Sequence, residues 1–188
     1  VRNARPLAAV GVVLLLSGCG SSPVLLDESD FAGVDSATQN SDRALAPGWT
    51  WCDGLRSGIY VQGPVVSSSL VFGEQSRAGA TIIDRSADGA MADYLLEQYA
   101  QEATLCAGSA AVQQGNSIEP LPGLDDGALG WATRTSDGEW GEYALIPLDE
   151  QRVLAVGFQT FEEEPPVDMD ELIEHAREGA EQFPTDRG

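Results

Sequence analysis

The chain is 188 residues long and sets 30 acidic side chains against 10 basic ones, a formal charge of −20 near neutral pH. All of its cations are arginines. So negative a surface excludes nucleic acid, anionic lipid head groups and polyphosphate as ligands, since each would approach against the field of the whole molecule.

The first element is a targeting segment. Arg2 and Arg5 precede an apolar run over residues 8–16, and Leu16-Ser17-Gly18-Cys19 follows. The run has the length of a signal-peptide hydrophobic region and is too short to span a bilayer. The Leu-Ser-Gly-Cys tetrad resembles the lipobox of bacterial lipoprotein signal peptides. The resemblance implies a signal peptide over 1–18, diacylglycerol on the Cys19 thiol, and cleavage before Cys19. It also implies a place: the extracytoplasmic face of the cell membrane, with acyl chains contributing about 0.8 kcal/mol per buried CH₂. Cleavage would remove two arginines and no acid, taking the formal charge from −20 to −22.

Residues 19–46 read as a flexible acidic tether. They are rich in Ser, Asp, Gly and Asn, and only Val24-Leu25-Leu26 and Phe31 break the polarity. Such a composition buries too little apolar area to offset the entropy of ordering it. The expected role is to hold a domain off the membrane, with the Val24-Leu25-Leu26 patch resting on the bilayer.

A single folded domain is expected over 47–188. Strands are expected at 59–62, 65–72 and 80–84. A helix then opens near Ser86 or Asp88 and runs to about Cys106, with Met91, Leu95, Tyr99, Ala103 and Cys106 on one stripe. With Cys19 lipidated, Cys52 and Cys106 remain, and outside the cytoplasm such a pair is expected to be bridged. A redox pair is the alternative, but the two lack C-x-x-C spacing. Residues 107–127 read as a long loop, with a short strand possible inside it. Strands at 129–133, 142–147 and 152–161 follow, the first two joined by a turn at Thr135-Ser136-Asp137-Gly138. After Glu162-Glu163-Glu164-Pro165-Pro166, Asp168-x-x-Glu171 resembles a capping box. It opens a last helix that buries Met169, Leu172, Ile173, Ala176, Ala180 and Phe183. The expected class is α+β: an antiparallel sheet of about five to six strands with two helices packed on one face.

The chain has one histidine, His175, read as a rim residue on the last helix. No G-x-S-x-G, H-E-x-x-H or P-loop occurs, so no catalytic residue, metal ligand or cofactor is assigned. Glu162-Glu163-Glu164 with Asp168 and Asp170 reads as a solvated loop rather than a calcium site, and Asp125-Asp126 as turn chemistry. The aromatics are expected mostly in the core. Trp131 and Trp140 are the candidates for the floor of a ligand pocket, Trp140 being the exposed one at a hairpin edge.

The order of elements from about Trp51 to Phe183, with Leu105-Cys106-Ala107-Gly108, Tyr143-Ala144-Leu145-Ile146 and Arg152–Phe158 in sequence, resembles small extracytoplasmic sensor domains of actinobacteria. These include the extracellular domains of PknH-type serine/threonine kinases and free-standing lipoproteins. The resemblance implies a non-enzymatic domain with a disulfide and a cleft, its partner being a small molecule or an envelope protein. Two other readings stand beside it: a cell-wall-acting enzyme or enzyme accessory using an acidic pair, and a structural or interaction protein using its acidic face.

Overall fold

Two stretches of the sequence, Tyr143–Ile146 and Val153–Phe158, are apolar or glycine at every position rather than every second one. A strand of that kind buries both of its faces. The computed structural model describes residues 23–39, 52, 65–84, 92–125 and 127–183, and it places these stretches near the middle of a sheet. The strands are β1 (Ser36–Gln39), β2 (Val65–Phe72), β3 (Ser76–Asp84), β4 (Ser117–Pro120), β5 (Leu129–Arg134), β6 (Trp140–Pro147) and β7 (Arg152–Thr160). They form one seven-stranded sheet in the order β1-β2-β3-β7-β6-β5-β4, antiparallel throughout. The helices are α1 (Ala92–Ala107), α2 (Ala110–Gln113) and α3 (Met169–Glu181).

The class is α+β as expected, with two differences. Among the described residues the sheet has seven strands rather than five or six, because β1 lies in the supposed tether and β4 in the supposed loop. And the two long helices pack on opposite faces, not on one. Along β7, Val153 and Ala155 join Leu95, Tyr99, Ala103 and Cys106 of α1 in one apolar cluster. Leu154, Val156 and Phe158 join Met169, Leu172, Ala176 and Ala180 of α3 in another. Successive side chains of a strand point to opposite faces, so the sheet is sandwiched between α1 and α3.

The tether expectation is corrected for residues 23–39. Leu25, Leu26 and Phe31 are 1%, 2% and 7% exposed and belong to the α3-side core. The Leu26 N–H donates to Ser68 Oγ at 3.0 Å, and Gln39 Nε2 donates to the Leu26 carbonyl at 3.3 Å. Leu25 and Leu26 therefore rest on the protein's own sheet and helix, not on a bilayer. A short sequence with three well-placed apolar side chains needs no amphipathic period of its own when an existing groove receives them.

Cys52 and Cys106 form a disulfide, with Cα atoms 5.8 Å apart. It ties the last turn of α1 to the chain ahead of β2, inside the α1-side core. The expected strand at 59–62, the helix-start residues Ser86 and Asp88, Met91 and the lipidation residue Cys19 lie outside the described residues.

Candidate functional site

On the α3 face the helix does not cover the whole sheet. Its N-terminus is set by Asp168, whose carboxylate accepts from the Asp170 and Glu171 N–H groups at 2.9 and 3.3 Å. From there α3 runs back along β7, and one flank packs on the N-terminal segment. Gly179 makes this possible: a methyl at that position would overlap the Leu25 backbone carbonyl. His175, on the same flank, sets its ring edge-on to Phe31 at 5.1 Å. Its Nδ1 lies 3.7 Å from Asp30 Oδ2 and 3.8 Å from Glu178 Oε2.

The other flank of α3 faces residues 121–125 and 127–128. These residues are seated on β5 through Gly130, where an added Cβ would come 2.9 Å from the Tyr143 carbonyl and would run into Leu124 and Leu121. Between them and α3 lies an open groove of about 330 Å³. Leu124, Ala128, Ile146 and Ile173 give it an apolar lining, and Asp125, Asp170, Glu174, Glu178 and Glu181 give it an acidic one. Arg177 also lines it and closes one side with an ion pair to Asp125, Nη1 to Oδ2 at 2.7 Å. Asp170, Glu174 and Glu178 follow one another at single-turn spacing on α3, an arrangement in which like charges repel and weaken the helix. A second hollow of about 300 Å³ lies by Val24, Asp27, His175 and Gln182, on the flank that holds the N-terminal segment.

Trp131 and Trp140 do not share a site. They sit on opposite faces of the sheet and neither lines the groove. Trp131 is 7% exposed and packs into the α1-side core. Trp140 is half-buried rather than exposed: its ring meets Phe158 edge-on at 5.2 Å and its Nε1 donates to the Glu162 carbonyl at 2.6 Å. Ile173 and Arg177 carry the groove instead. The sequence signal for Ile173 was its place on the apolar stripe, which equally described a core residue.

Three carboxyls are held above the usual glutamate range. Burial raises Glu142 on β6 first, and the charges of Asp168 and Asp170 raise it further. Burial raises Glu139, with Asp137 adding to it, and burial alone raises Glu102. One Glu102 carboxyl oxygen is buried without a hydrogen-bond partner among the described residues. Burial also lifts the Tyr99 hydroxyl to about 12, with a smaller push from Glu102. Among the described residues no group of three or more His, Cys, Asp and Glu side chains is placed to hold a metal ion. No described helix is long and apolar enough to cross a membrane. No protein-family model, curated protein or solved structure matches the chain.

Proposed function

We propose that the chain is a lipoprotein anchored through Cys19 on the extracytoplasmic face of the membrane, and that its domain binds a basic, partly apolar segment of an envelope partner in the groove beside α3, without catalysis. The observation that carries the binding reading is the groove itself, with an apolar lining of Leu124, Ala128, Ile146 and Ile173 beside the acids of α3. An apolar peptide face would cover the former, and arginines or lysines would relieve the repulsion along Asp170, Glu174 and Glu178. The Cys52–Cys106 disulfide supports the location, since such bridges persist outside the reducing cytoplasm.

The test is calorimetric titration of the protein with a short peptide of alternating Arg and Leu. Neutralising the α3 acids (Asp170→Asn, Glu174→Gln, Glu178→Gln together) should weaken binding about tenfold or more, at least about 1.4 kcal/mol. Added salt should weaken the wild-type complex in the same direction. Equal affinity for the neutralised variant would remove the groove from the reading. Separately, Cys19→Ala should free the protein from membranes; a variant that still sediments with them would end the anchor reading.

A wall-acting enzyme has one observation on its side. A carboxyl that stays protonated nearer neutral pH suits a general acid, and Glu142 is raised by burial and by Asp168 and Asp170. Release of soluble wall fragments by the wild type and not by Glu142→Gln would move the proposal to that reading.

A further inference from the structure

Because Leu25, Leu26 and Phe31 are seated in the core, an anchor at Cys19 has little freedom. Four peptide units join Cys19 to Pro23, a reach of at most about 14 Å when fully extended. Leu25 is then already fixed against Gly179, near the C-terminal end of α3. That end lies at one pole of the sheet: Arg152, the first residue of β7, donates from Nη1 to the Phe183 carbonyl. The β6–β7 turn lies at the same pole, where the Glu150 carbonyl accepts from the first N–H of α1. From Leu25 the chain runs past His175 at Phe31 and reaches the opposite pole at Asp35, whose carboxylate accepts from the Gly73 N–H at 2.7 Å. The β2–β3 turn around Glu74 and the β5–β6 turn around Asp137 are at this far pole, as are Glu162, Glu163 and Glu164 after β7.

We infer that the pole formed by the end of α3 and the β6–β7 turn faces the lipid surface, and that the acidic pole carrying Glu74, Asp137 and Glu162–Glu164 points away from it. This orientation rests on the lipid at Cys19. The nine residues of β3 span about 30 Å, so a leash of about 14 Å cannot let the domain turn over. Its own negative charge keeps it from lying flat. An acidic domain is repelled by anionic head groups over a Debye length of about 8 Å at physiological salt, so it stands at the end of its leash. The groove beside α3 then opens sideways, and the far acidic pole is what a basic envelope component meets first.

The test uses the full lipidated chain in vesicles of phosphatidylcholine mixed with anionic phosphatidylglycerol and doped with a head-group spin label. With Cys19 acylated and Cys52 bridged to Cys106, one introduced thiol takes a fluorophore, at Gln182→Cys or at Glu74→Cys. Quenching should be several-fold stronger at Gln182→Cys. Inserting about twenty Gly and Ser residues before Pro23, a flexible span of about 25 Å, should erase most of that difference. Equal quenching at the two positions in the uninterrupted chain would overturn the orientation while leaving the anchor intact. A mass spectrum showing no acyl group on Cys19 would overturn the anchor itself, and it is read before any fluorescence.

Discussion

Gly179 is the residue on which the N-terminal segment depends. In an exposed helix, replacing glycine by alanine gains about 1 kcal/mol in helix propensity. Here the added methyl would strike the Leu25 backbone, which cannot turn aside as a side chain could. Gly179→Ala is therefore expected to destabilise, by about 1–3 kcal/mol as overpacking typically does, and to open residues 23–31 to proteolysis. Urea denaturation and limited digestion check this. A stabilised variant would mean that the segment is not seated on α3. His175 belongs to the same contact. It reads as a rim histidine in the sequence and is one, but its partners Phe31, Asp30 and Glu178 were hidden because two of them lay in a stretch read as tether.

At the scale of elements, legibility followed periodicity. α3 shows its N-cap at Asp168 and most of its stripe: Met169, Leu172, Ala176 and Ala180 are buried, whereas Ile173 and Phe183 are only partly buried and Phe183 lies past the helix end. β2, β5, β6 and β7 appear close to their expected spans, and β3 begins four residues earlier than expected. β1 was invisible because all four of its residues are exposed; its conformation comes from pairing with β2 and not from a pattern of its own. β4 buries only Ile118 and ends in Pro120, a residue tolerated at a sheet edge, where no ladder N–H is needed. The helices were expected on one face although the sign to the contrary was present: an unbroken apolar β7 needs a cover on each side. The disulfide gives the element-scale prediction. It closes a loop of 54 residues, worth about 4 kcal/mol in the chain-entropy model. Cys106→Ser should lower the melting temperature clearly, read by thermal denaturation without reductant. An unchanged melt would show that α1 holds to the sheet by packing alone.

For the whole molecule the acids decide how stability varies with pH. Glu102, Glu139 and Glu142 are raised on folding, so the folded state holds their protons more tightly than the unfolded chain. Their contribution is present below the ordinary glutamate range and fades as pH rises through the raised values. Asp149 is lowered by hydrogen bonds from Gln151 and Arg152 and by the Arg152 charge, which outweigh its burial. Its contribution is present above the ordinary aspartate value and is lost as pH falls through the lowered one. The repulsion of an excess of acids adds to the first effect. Stability should therefore peak at about pH 5 and decline toward about pH 8. Melting curves across that range test this, and a melting temperature that climbs to neutral pH would contradict it.

By itself the sequence determined the composition-level facts and the local ones. These are the acidic surface, the N-cap and most of the stripe of α3, the central apolar strands and the α+β class. All depend on residue type or on spacing within one element. Tertiary structure alone decided what depends on neighbours distant in sequence. It drew Leu25, Leu26 and Phe31 into the core and recruited an edge strand without any apolar pattern. It put Trp131 and Trp140 on opposite faces of one sheet. It also set Asp125 beside Arg177 to frame the groove. The physical reason is the same in each case: a side chain's period says which way it points along its own element, and only packing says what stands opposite.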